Sequence, residues 1–329
     1  MNIRRILKNK YGLRTNLNPL VVAKRRNRCL YKVQTTDKSY ALKIYERPVA
    51  IDYQLACFDQ LEKNGFHQVP QVISTVDGEG SVEKGDTTFV LSEWIEGAQP
   101  SFSNVKTLKK VSAFLASFHQ AAKTPEQAVI QNTRNLFTKC TTFHDIKVGQ
   151  NKMGAISSKL DEWVQQFGTD PLKIARERME YVEHNFPNDS YMELLESERK
   201  ENTFIHGDFN PANLILSPNG KMYLIDFDGS SYYVRISDLL FLCHLHMGNK
   251  AESLSNILQS YHQVRPLSLT EFEIVKSLLL VPGNLYWDMH MKTYSNKPID
   301  KDWIIQSLTR YSNEEKFYTI KKLSYFDLN

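Results

Sequence analysis

The sequence predicts an α+β fold in which a small, strand-rich lobe precedes a larger, mainly helical lobe. Up to about position 95, β-branched and aromatic segments surround a single helix-like segment, whereas from about position 104 apolar residues recur at helical spacing. We place the boundary after the strand that leads to Gly97, which gives lobes over residues 1–96 and 97–329. Two lobes of this kind are expected to form a cleft between them.

The small lobe is predicted to contain a β-hairpin, a helix and a further strand. RCLYKVQT (28–35) and YALKIYE (40–46) flank the turn sequence TDKS and form the hairpin. In residues 51–66, apolar side chains at positions 51, 55, 58 and 61 have helical spacing, and an Asn-Gly pair indicates the helix end. TTFVLSEWIEG (87–97) is rich in β-branched and aromatic residues and predicts the last strand.

The large lobe is predicted to be helical except for one short hairpin. VSAFLASFHQAA (111–122) places apolar residues at positions 111, 114, 115 and 118, which form a buried helix face. We expect two amphipathic helices between residues 150 and 200, and helices again from Ile236 onward. NLIL (213–216) and MYLIDF (222–227) flank the turn SPNGK and predict the hairpin.

Composition and charge exclude several classes of protein. With 41% hydrophobic and 24% charged residues, the chain has the composition of an ordinary globular protein. A net charge of +4 does not by itself indicate nucleic-acid binding, and it suits a bound nucleotide phosphate equally well. Four separated cysteines without a CxxC pair favour a cytoplasmic protein. No apolar run reaches the ~20 residues needed to cross a membrane, so we expect no membrane partner. We expect no nucleic-acid partner either.

The segment FIHGDFNPANLIL (204–216) contains polar residues suited to phosphoryl transfer between two apolar runs. Asp208 can accept the proton of an attacking hydroxyl, and Asn213 can offer a carbonyl oxygen to Mg²⁺. The later IDFD segment ends a strand with Asp226 and Asp228, and the predicted hairpin would return Asp226 to the neighbourhood of Asn213 as a second metal ligand. Asp228 is either a further ligand or a residue directed at the substrate.

The same residues also have a structural interpretation. His206 and Asp208 would then stabilise a turn, and Asp226 would cap a helix. The loop followed by a hairpin and Asp-Phe-Asp favours the catalytic interpretation for the set as a whole. For His206 alone the structural interpretation is favoured, because a histidine at this point of a loop is expected to brace it through backbone hydrogen bonds.

Lys43 lies between apolar strand residues in YALKIY. Burying an ammonium group is costly unless it meets a charge, and the α- and β-phosphates of ATP would supply one. The alternative is a surface lysine whose stem packs along the sheet. In the nucleotide-binding interpretation, FVLSEWIEG connects the lobes, and the backbone from Glu93 to Ile95 pairs with the adenine edge while the Glu93 carboxylate is solvated.

HGDFNPANLIL and IDFD, with the AFLASFHQ helix and the LSEWIEG connector, resemble the aminoglycoside/choline phosphotransferase branch of the protein-kinase-like fold. Three further segments are similar to the bacterial spore-coat kinase-like family, the spore coat protein S and I type. They are IDFDGSSYYVRISDLLFL (225–242), SYHQVRPLS (260–268) and LLVPGNLYW (279–287). The resemblance covers nearly the whole chain from about residue 30.

The resemblance implies a protein-kinase-like two-lobe fold and an ATP- and Mg²⁺-dependent phosphotransferase. The residues that it implies are Asp208 as catalytic base, Asn213 and Asp226 as metal ligands, and Lys43 on the nucleotide phosphates. It also matches Asp238 and His119 to residues that brace the catalytic loop.

The chain departs from the family pattern in the small lobe. AKRRNR (23–28) stands where a glycine-rich loop is expected, and it is either a set of cations that clamp phosphates or a solvated turn. Gln54 stands where the helix glutamate that partners Lys43 is expected, and Asp52, Asp59 or Glu62 would substitute only in a shifted register. The metal motif is also extended, to Asp-Phe-Asp-Gly.

Three functions are compatible with these features. The favoured one is transfer of the γ-phosphoryl group of ATP to a hydroxyl of a small molecule or protein, with the acceptor near Tyr286 and Trp287. The second is a kinase-like structural component of the spore coat that contacts other coat proteins and has weak or no catalysis. An aminoglycoside-resistance enzyme is disfavoured, because an acidic acceptor pocket is expected there and residues 140–200 have mixed charge.

Overall fold

The computed structural model describes residues 2–15, 19–25, 27–46, 51–123, 157–158, 160–201, 203–246, 251–281, 301–311 and 320–328. These residues form two compact units. The first contains the residues up to Pro100 together with Pro211–Asp228, and the second contains those from Ser101 to Asn210 and those from Gly229 onward. Residues 211–228 therefore cluster with the strand-rich unit, although the sequence-based division at residue 97 assigns them to the C-terminal lobe.

The first unit is built on a five-stranded antiparallel sheet with the order β1-β2-β3-β5-β4. Its strands are β1 (Leu20–Arg25), β2 (Arg28–Gln34), β3 (Ser39–Tyr45), β4 (Val82–Lys84) and β5 (Thr87–Glu93). The predicted hairpin of residues 28–46 is confirmed as β2 and β3. Val33, Leu42, Ile44, Phe89 and Leu91 fill the core below the sheet.

Two helices belong to the first unit. α1 (Ile3–Tyr11) packs Leu7 and Tyr11 into the sheet core and was not predicted from the sequence. α2 (Ile51–Lys63) is the predicted helix, and its apolar face buries Cys57 and Leu61.

A second hairpin, formed by β7 (Leu214–Leu216) and β8 (Met222–Leu224), also lies in the first unit. It confirms the hairpin predicted around SPNGK. A 3₁₀ turn, Pro211–Asn213, precedes it, and another, Phe227–Gly229, follows it. The connector after β5 joins this hairpin, because Ala98 forms an antiparallel bridge with Leu216.

The second unit is mainly helical. Its described helices with defined ends are α3 (Val105–Ala121), α4 (Asp170–Asn185), α5 (Asn188–Lys200), α6 (Ile236–His246), α7 (Ala251–His262), α8 (Leu269–Leu280) and α9 (Lys301–Tyr311). A short antiparallel pair, β6 (Phe204–Ile205) and β9 (Ser231–Tyr232), also belongs to this unit, and the loop that contains Asp208 follows β6. α3 packs on α7 with the apolar face that the sequence predicts. This α+β arrangement agrees with the predicted fold class.

Two expectations from composition can be compared with the described residues. Cys29, Cys57 and Cys243 are free and buried, as interpreted for Cys29 and Cys243. Across the described ranges, no helix is long and apolar enough to cross a membrane.

Candidate active site

One side of β3 carries the cationic part of the candidate site. Lys43 and Tyr45 are two residues apart on the strand, so their side chains leave the same face of the sheet. The register of β2 and β3 pairs Arg28 directly with Tyr45. Strand geometry therefore brings together three side chains that can bind a carboxylate or another anion.

The acidic part of the site lies on the turn after β8. Phe227 is buried and packs edge-on against Phe58, with ring centroids 4.8 Å apart, which anchors the turn between Asp226 and Asp228. Asp226 has φ +64°, and among the described residues it is the only non-glycine with positive φ. Such a conformation costs of the order of 1–2 kcal/mol and persists only where the surroundings enforce it.

These two parts form one cluster of ion pairs within the first unit. Lys43 Nζ lies 2.5 Å from Oδ1 of Asp226 and 2.9 Å from Oδ1 of Asp228. The Arg28 guanidinium donates to Oδ2 of Asp228 and lies 3.5 Å from Oδ1 of Asp226. Tyr45 donates its hydroxyl to Oδ1 of Asp228 at 2.7 Å. Two cations thus offset two carboxylates.

The protonation states of this cluster follow from its contacts. Burial by itself would raise the pKa of Asp228, but Lys43, Tyr45 and Arg28 together lower that pKa to about 2. Burial and the adjacent Asp228 carboxylate raise the pKa of Tyr45 far above its usual range. Near neutral pH, Asp228 is therefore ionised and Tyr45 remains a hydrogen-bond donor.

The cluster also supplies the ion-pair partners of Lys43. On α2, Asp52, Asp59 and Glu62 are exposed, and Gln54 is half-buried. Within the described residues, Lys43 forms its ion pairs with Asp226 and Asp228 instead of with the helix. The negative charge that the sequence leads one to expect on α2 is thus provided by the Asp-Phe-Asp turn.

The hairpin places Asn213 beside Ile225, the residue that precedes Asp226. Asn213 is buried at the end of the 3₁₀ turn, and its backbone carbonyl accepts a hydrogen bond from the Ile225 N–H at 2.9 Å. An amide oxygen and a carboxylate are hard ligands of the kind that Mg²⁺ takes alongside phosphate and water oxygens. The described residues contain no group of three or more His, Cys, Asp or Glu side chains that could hold a metal by themselves. The donor set therefore fits Mg²⁺ that arrives with phosphate.

Asp208 lies on the loop that follows β6 in the second unit, where Asp238 fixes the backbone. Oδ2 of Asp238 accepts the His206 N–H at 2.8 Å, and Oδ1 accepts the Gly207 N–H at 2.9 Å. The His206 ring accepts the Asp208 N–H at 3.3 Å through Nδ1, which is the bracing role expected for this histidine. Asp208 itself is exposed, and its Oδ1 accepts a hydrogen bond from Asn210 Nδ2 at 2.7 Å.

The loop depends on a glycine at position 207. Gly207 has φ +77°, and a Cβ atom there would lie 2.1 Å from the carbonyl oxygen of Gly229. The loop and the chain after Asp228 therefore approach each other too closely for any side chain at residue 207.

The connector predicted to bind adenine ends β5. The Glu93 N–H donates to the Gln71 carbonyl at 2.8 Å, and the Trp94 N–H donates to the Ser39 carbonyl at 3.3 Å. The side chain of Glu93 is exposed, as expected, whereas that of Ile95 is buried. The backbone of this segment is therefore held by the sheet on one side.

Sequence reasoning missed two members of the cluster. Arg28 was considered only as part of the AKRRNR run, and Tyr45 was not considered at all. Among the described side chains of that run, Lys24 is exposed, whereas Arg28 contacts the acidic turn. The pairing of Arg28 with Tyr45 across the predicted hairpin was the signal that could have identified both. The acceptor region predicted near Tyr286 and Trp287 lies outside the described residues.

The fold is kinase-like, and comparison with known proteins assigns the family. Residues 22–271 match the model of the phosphotransferase enzyme family, APH, and the chain belongs to this family. The aminoglycoside/choline kinase-like superfamily that the motifs suggested is thereby confirmed.

Solved structures share the same fold at low sequence identity. An aminoglycoside phosphotransferase from Alicyclobacillus acidocaldarius has 17% identity and a TM-score of 0.70, with 93% of this chain and 92% of that chain covered. A microcompartment-associated aminopropanol kinase has 15% identity and a TM-score of 0.58, with 94% and 93% covered. Spectinomycin phosphotransferase, solved with ADP and spectinomycin, has 13% identity and a TM-score of 0.56, with 97% of each chain covered.

Proposed function

We propose that this protein transfers the γ-phosphoryl group of ATP to a hydroxyl group of a small molecule or a protein. The observation that carries the proposal is the cluster in which Lys43 and Arg28 face Asp226 and Asp228. Phosphoryl transfer requires cations for the phosphates and oxygen ligands for a metal, and this cluster contains both. In this proposal, residues 1–96 form the nucleotide-binding lobe and residues 97–329 supply the catalytic loop and the acceptor site.

Lys43 and Arg28 are the residues that we assign to the phosphates. Their side chains are 24% and 33% exposed, so a ligand can reach them. Both now pair with the carboxylates of Asp226 and Asp228. Asp226 and Asn213 would hold Mg²⁺, and Lys43 and Arg28 would then face the phosphate oxygens. The metal, when bound, offsets phosphate charge and orients the phosphates. Arg28 would then replace the backbone contacts of a glycine-rich loop.

The adenine base is assigned to the connector after β5. The N–H groups of Glu93 and Trp94 already donate to Gln71 and Ser39. The Glu93 carbonyl and the Ile95 N–H are therefore the acceptor and donor that we assign to the adenine edge. ADP in the spectinomycin phosphotransferase structure supports a nucleotide in this family.

Asp208 is the residue that we assign as catalytic base. Its hydrogen bond from Asn210 and the bracing by His206 orient the carboxylate. The carboxylate accepts the proton of the acceptor hydroxyl as that oxygen bonds to the γ-phosphorus, and the bond from the γ-phosphorus to the β,γ-bridging oxygen breaks. ADP leaves with that oxygen, so atoms and charge balance.

The acceptor is a hydroxyl compound, and its biological setting is proposed from the sequence. The similarity of residues 225–242 and 260–268 to spore-coat kinase-like proteins supports a link to the spore coat. A catalytically weak coat component is the second candidate. It is favoured by one observation, that the described helix α2 carries Gln54 where an acidic partner of Lys43 is expected.

Thermal unfolding with and without Mg-ATP separates these two candidates. A ligand that binds only the folded state at 100 times its Kd stabilises that state by about 2.7 kcal/mol, which raises Tm by several degrees. We expect this rise for the wild type and for Asp59→Ala, which removes an exposed carboxylate of α2, and expect its loss in Asp226→Ala. No rise for the wild type at millimolar Mg-ATP would favour the coat component.

A further inference from the structure

A chain of buried polar residues runs from the catalytic loop to the start of α8, entirely within the second unit. Each member is 6% exposed or less: Asp238, His119, Tyr261, Arg235 and Glu271. They come from four helices and from the residue that precedes α6. The sequence predicts bracing roles for Asp238 and His119 and none for the other three.

Hydrogen bonds join these residues without a gap. His119 Nε2 lies 3.1 Å from Oδ2 of Asp238, and His119 Nδ1 lies 2.8 Å from the Tyr261 hydroxyl oxygen. Arg235 Nη1 donates to the same hydroxyl at 3.1 Å, and its Nη2 donates to Oε2 of Glu271 at 2.8 Å. Glu271 also completes the capping box of α8.

Which atom donates and which accepts in the hydrogen bonds of His119 follows from the residues on its two sides, Arg235 beyond Tyr261 on one side and Asp238 on the other. An arginine can only donate, so the Tyr261 oxygen accepts from Arg235, and its own hydrogen is available for His119 Nδ1. Burial raises the pKa of the Tyr261 hydroxyl to about 12, so the hydrogen is present near neutral pH. His119 Nδ1 must therefore be the acceptor.

The other end leads to the same assignment. Burial acts to raise the pKa of Asp238, but its contacts with His119 and His206 lower that pKa below its usual value, so the carboxylate is ionised and accepts. Burial lowers the pKa of His119 to about 4, so its ring carries a single proton. That proton must lie on Nε2, because an ionised Asp238 requires a donor there.

Of the charged groups around the chain, the two arginines are matched by two glutamates, and the Asp238 carboxylate is held by neutral donors. Arg265 donates to the His119 carbonyl, and Arg235 Nε lies 3.7 Å from Oε1 of Glu198. Glu198 and Glu271 together offset the two arginines. The remaining carboxylate, Asp238, receives hydrogen bonds from two backbone N–H groups and from His119.

We propose that Tyr261 and Arg235 are positioning residues for the catalytic loop. By holding the His119 proton on Nε2, they keep the Asp238 carboxylate directed at the N–H groups of His206 and Gly207, next to Asp208. Only the effect on turnover rests on the proposed phosphotransferase function, since proton position and loop order are properties of the free protein.

The imidazole ¹⁵N shifts of His119, assigned in the intact wild-type protein, test the proton position directly. We expect a neutral ring with the proton on Nε2 throughout pH 6–8. A proton on Nδ1, or an equal mixture of the two tautomers, would overturn the inference. This measurement needs no variant and no substrate.

Amide hydrogen exchange of Tyr261→Phe tests the effect on the loop. Tyr11→Phe is the matched control, because it also removes one buried hydroxyl, which donates to the Phe89 carbonyl at 3.0 Å in the first unit. We expect the His206 and Gly207 amides to exchange about tenfold faster in Tyr261→Phe, the factor expected for one lost buried hydrogen bond, and to be unchanged in Tyr11→Phe. Equal exchange in the two variants would contradict the positioning role.

Kinetics then separate this inference from the proposed function. If the wild type phosphorylates an acceptor, Tyr261→Phe should lower kcat and leave KM for ATP unchanged. An inactive wild type whose loop amides still respond to Tyr261→Phe would refute the phosphotransferase and preserve the positioning role. Should Tyr261→Phe fail to fold, the wild-type tautomer decides alone.

Discussion

The ammonium group of Lys43 lies 2.5 Å from Oδ1 of Asp226, a residue held in a left-handed backbone conformation. The two residues are 183 positions apart in the chain, yet both belong to the strand-rich unit. The pair joins the residue that we assign to the phosphates to one that we assign to the metal. In the proposed function, ligand binding would exchange this internal ion pair for contacts with Mg²⁺ and phosphate.

Arg28→Ala should weaken the binding of ATP. Removing a charged hydrogen-bond donor from a phosphate costs about 1.5–3 kcal/mol, which corresponds to about 10- to 150-fold in Kd. Adenosine lacks phosphates, so its affinity should not change. Lys24→Ala, which removes an exposed cation of the same run, is the control. Calorimetric titration with both ligands measures the effect, and an unchanged Kd for ATP in Arg28→Ala would exclude the phosphate role.

A sequence reveals those parts of the site that depend on residues close together in the chain. The hairpin β2–β3, α2 and the loop at Asp208 follow from periodicity and turn residues within short windows. The ion pairs of Lys43 do not follow from the sequence. Several acidic residues could pair with a lysine in a strand, and only the folded chain places the turn at Asp226 beside it. From the sequence, the ion-pair partner of Lys43 is therefore expected on α2.

The helix α1 could not be predicted from the sequence for a different reason. Its apolar residues Ile3, Ile6, Leu7 and Tyr11 have helical spacing, but four lysines and arginines separate them in nine residues. The segment therefore looks like a basic tail. Burial against the sheet core, together with the Asn2 N-cap and Gly12 at the C-terminus, stabilises the helix.

Gly207→Ala should destabilise the protein more than Gly220→Ala does. The two glycines have nearly the same positive φ, +77° and +79°, so alanine pays a similar conformational cost at both. At residue 220 nothing lies within 4 Å of the new Cβ, whereas at residue 207 it meets a backbone oxygen at 2.1 Å. We expect about 1–3 kcal/mol of additional loss for Gly207→Ala in denaturant unfolding. Equal losses would show that the loop and Gly229 are not in close contact.

Asp228 should make stability depend on acid pH. Its pKa is lowered from 3.8 to about 2 on folding, so its stabilising contribution is complete above pH 4 and is lost as the pH falls toward 2. The free energy of unfolding of the wild type should therefore exceed that of Asp228→Asn by an amount that shrinks, by about 2 kcal/mol, between pH 5 and pH 2. Urea unfolding at several pH values measures this. A difference that stays constant would mean that Asp228 is not held by Lys43, Arg28 and Tyr45.

Asp208→Asn should remove phosphoryl transfer without removing nucleotide binding. The amide keeps the shape of the side chain and can still contact Asn210, but it cannot accept the hydroxyl proton. Loss of a general base lowers the rate about 10²- to 10⁴-fold. The variant should therefore retain the rise of Tm in Mg-ATP.

The most direct test of a phosphotransferase is ADP release from Mg-ATP across a panel of hydroxyl acceptors, measured side by side for the wild type and Asp208→Asn. The panel should include amino alcohols, aminoglycosides, sugars and serine-containing peptides. Transfer to a hydroxyl predicts that at least one acceptor raises ADP release by the wild type above the acceptor-free rate, and that Asp208→Asn abolishes the increase. Equal, acceptor-stimulated release by both proteins would contradict the assignment of Asp208 as catalytic base.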